Sequence, residues 1–149
     1  MTLTLFPSPA VGRQNHVFVS YAREDATDLA GRLVKKLARN GIEAWNDKKM
    51  RPGVPFGRLL EQAIEESFAM VALISDAALD SHWVQCEWCY ALSKKNITII
   101  PVVVPGFDED RFPIELFTFS RVYIEDYSNN NSFENVVTLV EFARDFAPK

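Results

Sequence analysis

The chain has 149 residues, enough to bury one substantial core, and one domain is the default at this length. A formal charge of −4, with 48% hydrophobic and 24% charged residues, argues against a nucleic-acid-binding domain as a whole. No apolar run approaches the roughly 18 residues that a membrane span needs, so no membrane association is expected.

Residues 1–15 contain Pro7, Pro9 and Gly12 and lack the basic start and apolar stretch of a signal peptide. They read as a flexible lead-in, with residues 16–149 forming a single domain. Cys86 and Cys89 lie three apart and make no disulfide framework, which points to a reducing, cytoplasmic setting.

Strand-like runs follow in order. His16–Ser20 (HVFVS) is the first and Ile42–Trp45 (IEAW) the second. Ala69–Ser75 (AMVALIS) and Ile97–Val104 (ITIIPVVV) are almost wholly apolar, and Arg121–Ile124 (RVYI) is short. Continuous apolar strands suit a parallel sheet covered on both faces. Pro101 has no N–H for a ladder, which predicts a bulge or an early end to pairing in the fourth run.

Helical spacing fills the gaps. Residues 25–40 place Leu29, Leu33 and Leu37 on one face and end at Asn40-Gly41, a stop signal. Residues 57–67 align Leu60 with Ile64. Residues 82–94 form a third helix. Residues 133–146 align Phe133, Val136, Val137 and Val140, with Ser132 placed to cap. Residues 108–119 look irregular, with a single turn around Ile114–Leu116. The alternation predicts a flavodoxin-like α/β fold: a five-stranded parallel sheet of order 2-1-3-4-5 with helices on both faces.

Such sheets bind ligands beyond the carboxyl ends of their strands, at the switch point between strands one and three. That edge receives Tyr21–Asp25 after strand one, residues 46–56 after strand two, and Asp76–Ser81 after strand three. The stretch SHWVQCEWCYAL at 81–92 begins beside it. In a helix Trp83 and Glu87 share a face, Val84, Trp88, Ala91 and Leu92 form an apolar face, and His82, Cys86 and Cys89 fall within roughly 60° of one another. The last trio has zinc-ligand chemistry but lacks a fourth ligand, since the other histidine, His16, starts strand one. As a redox pair the cysteines lie inside the helix rather than at its start, so small, partly buried residues are the plainer reading. On spacing alone Glu87 reads as a solvated carboxylate beside a Trp that covers the helix start.

Four segments resemble the TIR (Toll/interleukin receptor) domain family, in order and over about residues 16–146. VFVSYARED at 17–25 resembles the family's strand-one box. DKKMRPGVPF at 47–56 resembles its BB loop. ALISDAALDSHWVQCE at 72–87 resembles strand C followed by Trp-x-x-x-Glu, and ITIIPVVV at 97–104 resembles a strand D that tolerates Pro.

The resemblance implies an NAD glycohydrolase that releases nicotinamide and leaves ADP-ribose or a cyclic ADP-ribose product. Such bacterial enzymes resemble antiphage effectors that deplete NAD or make a nucleotide signal. It implies Glu87 as the catalytic carboxylate and Trp83 as its wall. Tyr21 and Phe56 would meet the rings of the substrate. By charge Arg23, Lys48, Lys49 or Arg51 could meet the pyrophosphate, although each taken singly reads more plainly as a solvated loop charge, and Asp47 and Ser75 complete the substrate-binding set. NAD is the substrate, with no cofactor and no metal. The family's self-association implies an assembly loop over 47–56, with Met50, Pro52, Gly53 and Pro55.

Two departures stand out: Val84 follows the Trp where Cys is common, and Ala22 takes the first of two positions that are often basic. The alternative function is a non-catalytic TIR scaffold acting by homotypic association or by interference with a host's TIR signalling. A phosphoacceptor receiver of the same fold needs paired carboxylates before strand one, where Gln14-Asn15 stands instead.

Overall fold

The computed structural model describes residues 16–45, 56–126 and 130–146, with backbone alone at Phe56 and Asn130. The strands are β1 His16–Ser20, β2 Glu43–Trp45, β3 Ser67–Ile74, β4 Thr98–Val103 and β5 Val122–Tyr123. All pairings are parallel, in the order β2-β1-β3-β4-β5. The helices are α1 Arg23–Arg39, α2 Phe56–Glu65, α3 Asp76–Asp80, α4 His82–Leu92 and α5 Asn130–Asp145. The expected doubly wound sheet is therefore the observed one.

Strand alternation divides the core into two layers. Val17 and Val19 of β1, with Val71 and Leu73 of β3, face α1 and α5, where they meet Leu29, Leu33, Leu37, Val136 and Val140. Phe18, Met70, Ala72 and Ile74 face the other way, onto Leu60 and Ile64 of α2 and Val84, Trp88 and Ala91 of α4. On that second face Phe18 stacks on Trp45 across β1 and β2, with ring centroids 5.2 Å apart. Helix α1 stops as Asn40-Gly41 predicts. Gly41 takes φ +77°, and the N–H groups of Gly41 and Ile42 return to the carbonyls of Ala38 and Leu37 at 3.0 and 2.9 Å. This is the Schellman arrangement, and it needs a residue free of the Cβ penalty at Gly41.

Five local expectations change. Pro101 causes no break: β4 stays in register with β3 from Ala69↔Thr98 to Ile74↔Val103, with Pro101 opposite Ala72. β5 pairs only with Val102 and Val103, so the β5 side at Pro101 has no ladder to satisfy among the described residues. The register shift lies instead between His16 and Val17 against β3. Residues 76–80 form α3 rather than loop, because the Ser75 hydroxyl accepts from Ala78 N at 3.2 Å and nucleates the turn. Ser132 does not cap α5, which starts two residues earlier; Ser132 is buried within it. Leu92, expected on the packed face of α4, is 36% exposed at the helix end. Residues 108–119 hold two 3-10 turns, Glu109–Arg111 and Ile114–Leu116.

Candidate active-site cleft

Ser20 is the last residue of β1, and the alternation that turns Phe18 toward α4 turns Ser20 the same way. Helix α4 is capped by Ser81, whose hydroxyl accepts from Val84 N at 3.2 Å. That start aims Val84, Trp88 and Ala91 into the core and brings Glu87 to the carboxyl end of β1. Glu87 is only 9% exposed, so the solvated carboxylate that spacing alone suggests is not what folds. The Ser20 hydroxyl donates to Glu87 Oε1 at 2.7 Å, from a position 1% exposed. A carboxylate taken this far out of water requires such donors.

Glu87 forms part of the wall of a cleft of about 470 Å³ between α2 and α4. Leu60, Glu61 and Ile64 line one side, and Trp83, Glu87 and Tyr90 the other. Trp83 lines the cleft while 41% exposed, one turn before Glu87. At the far end the Tyr90 hydroxyl donates to Glu65, Lys94 Nζ lies 3.4 Å from the same carboxylate, and Lys94 sits over the Tyr90 ring at 4.7 Å. This clasp ties α4 to α2. The hydrogen bond to Glu65 raises the Tyr90 pKa above its ordinary value, with burial adding, and the hydrogen bond to Tyr90 raises that of Lys94.

A second hydrogen-bonded knot lies at the switch point. Asp25, in the first turn of α1, accepts from Ser75 Oγ at 2.8 Å and from Ala77 N at 3.0 Å. It fastens the start of α1 to the turn that follows β3.

The residues singled out from sequence fall into three groups. Trp83 and Glu87 come together in the cleft. Tyr21 is half-buried and packs on the α1/α5 layer, Arg23 is exposed as the first residue of α1, and Ser75 is fully buried with its hydroxyl given to Asp25. Asp47, Met50, Pro52, Gly53 and Pro55, like Lys48, Lys49 and Arg51, lie outside the described residues, as do residues 1–15; Phe56 opens α2. The Cys86 thiol lies 3.5 Å from His82 Nε2, and both cysteines line the cleft, exposed. Among the described residues no group of three His, Cys, Asp or Glu side chains is placed to hold a metal ion. The sequence assigned no site role to Ser20, Asp25 or the α2 wall, although Asp25 falls in the segment 21–25 placed at the ligand edge. The period-two pattern of HVFVS already carried the signal for Ser20.

A family model for the TIR domain matches residues 17–140. The chain belongs to the TIR domain family. This TIR domain is 23% identical over 132 residues to the Stimulator of interferon genes protein of Magallana gigas, a match covering 85% of the chain and 32% of that relative. It is 22% identical over 134 residues to the 2′ cyclic ADP-D-ribose synthase BtTIR of Bacteroides thetaiotaomicron, covering 89% of the chain and 46% of that relative. The chain thus spans less than half the length of either curated relative. The crystal structure of the TIR domain of the Toll-related receptor TRR-2 from Hydra magnipapillata superposes with a TM-score of 0.69 at 24% identity, over 84% of this chain and 97% of that one. Among the described residues no helix is long and apolar enough to cross a membrane.

Proposed function

We propose that this TIR domain cleaves the nicotinamide–ribose bond of NAD, with Glu87 as the catalytic carboxylate. The observation that carries the reading is a carboxylate 9% exposed, held by a strand-end hydroxyl and forming part of the wall of a cleft beside Trp83. Loss of neutral nicotinamide leaves oxocarbenium character at the ribose carbon. A fixed anion in a partly desolvated wall stabilises that charge, as in glycoside hydrolysis. Trp83 excludes water from the reacting face and so strengthens the interaction. Water then captures the cation to give ADP-ribose, or a hydroxyl of the same molecule captures it to give a cyclic product. The name of the Bacteroides relative, a 2′ cyclic ADP-D-ribose synthase, supports the second outcome for this chain as well. Either product suits NAD depletion or nucleotide signalling in immunity.

Tyr21, Arg23, Asp47 and Phe56 are the proposed grip on the rest of the dinucleotide, with Ser75 serving from within by holding the switch-point turn. The loop 47–56 is the proposed contact between copies of the domain.

The test is Glu87→Gln, which keeps size and removes the anion. Nicotinamide release from NAD should fall at least about a hundredfold, or about 2.7 kcal/mol of barrier, with little change in melting temperature. Near-full cleavage by the folded variant refutes the assignment. A wild-type protein that releases no nicotinamide even at high concentration or with a crowding agent would be a scaffold instead.

A further inference from the structure

We propose that Ser20 is the positioning residue for Glu87: its hydroxyl fixes the carboxylate in the orientation from which it stabilises charge developing in the cleft. The inference rests on the reading of Glu87 as the catalytic group and names a partner that the Trp-x-x-x-Glu pattern does not contain.

A Glu on a helix has several rotatable bonds, and a half-apolar wall gives its carboxylate every reason to swing toward water. Stabilising a transient cation requires that the anion be placed before the charge appears. Ser20 meets that requirement from an unusually fixed point. It ends β1, where it pairs with Ala72 of the central strand β3, and it is 1% exposed. Its hydroxyl is 2.7 Å from Glu87 Oε1, a charge-assisted bond between groups 67 residues apart.

Other uses of this serine fail on the structure. Ser20 does not cap α1: Ala22 holds that position and no side chain caps the helix. Ser20 does not form part of the cleft wall, whereas Glu87 does, so the hydroxyl acts through the carboxylate rather than on the substrate. It is not there to fill space, since Phe18, Met70, Ala72 and Ile74 make that face apolar and an alanine would fit the layer better.

The experiment measures kcat and KM for NAD in Ser20→Ala and Ser20→Cys, together with the Kd and binding stoichiometry of carbocyclic NAD, which cannot be cleaved at the same bond. Cysteine keeps the shape of serine, slightly enlarged, with a much weaker donor, so it fills the site and answers the question should the alanine variant fold poorly. Both variants should lose about ten- to a hundredfold in kcat, with KM and analogue Kd within about threefold of wild type and full binding stoichiometry. A kcat within about threefold of wild type in a fully binding variant overturns the proposal. So does a loss of kcat matched by lost stoichiometry, because that marks a purely structural serine. The Glu87→Gln enzyme separates the two readings. If it still cleaves NAD, the catalytic assignment fails; if it is inactive while the Ser20 variants are not, the positioning role alone fails.

Discussion

Replacing Asp25 by alanine should destabilise the domain far more than an exposed first-turn aspartate normally would. One oxygen accepts from the fully buried Ser75 hydroxyl at 2.8 Å and the other from Ala77 N at 3.0 Å. Without the carboxylate, Ser75 keeps its bond from Ala78 N but loses its acceptor, and a buried hydroxyl left without one costs about 1–3 kcal/mol. Water can replace the partner at Ala77, which is less deeply placed, so that loss is smaller. The favourable position of an acidic residue in the first turn of α1 adds about 0.3–1 kcal/mol. These ranges sum to about 1.3–4 kcal/mol, and the middle of that span, about 2–3 kcal/mol, is the expected loss. With an unfolding entropy of about 2.1 cal/mol/K per residue, a domain of this size should melt roughly 6–10 °C lower. Asp25→Asn, which retains one acceptor, should fall about midway. Thermal unfolding followed by circular dichroism checks the series. A drop of less than about 2 °C for Asp25→Ala would refute the reasoning, because the Ser75 hydroxyl would then have found another acceptor.

The clasp among Tyr90, Glu65 and Lys94 carries a pH dependence. Tyr90 and Lys94 both have pKa values raised in the fold above their ordinary 10.0 and 10.5, so their stabilisation is complete at neutral pH and is lost as pH rises through the folded values. Urea unfolding of Tyr90→Phe should therefore show a small deficit at pH 7 that begins to shrink only as pH passes the ordinary tyrosine value of 10.0 and closes as pH rises through the raised folded value, and a deficit that starts to shrink well below pH 10 would contradict the assignment. If the loop 47–56 joins copies of the domain, Gly53→Pro should lower NAD cleavage while leaving the melting temperature nearly unchanged. Wild-type activity per molecule should then fall on dilution, and activity per molecule that stays constant with dilution would count against that role.

Much of the architecture was legible because it is written in local patterns. The apolar runs read at 16–20, 69–75 and 97–104 become the buried parallel strands His16–Ser20, Ser67–Ile74 and Thr98–Val103, and their alternation with helices of clear period leaves few topologies open. Asn40-Gly41 stops α1 by a mechanism confined to six residues. The pairing of Trp83 with Glu87 followed from helical spacing, and the importance of Glu87 from family resemblance. Its burial did not follow from either. Spacing sorts a residue onto a face of its helix but not to a depth, and depth depends on what the sheet presents opposite. Here that is Ser20, brought beside α4 by the order β2-β1-β3. Asp25 and Ser75 are likewise 50 residues apart and meet only because β1 and β3 are neighbours. Strand faces and the stop of α1 are decided by neighbours along the chain, so the sequence determined them, whereas the start of α5 lies two residues before the Ser132 expected to cap it. The partners of a buried carboxylate are decided by which strand ends the crossovers bring together, and that is settled only when the sheet forms.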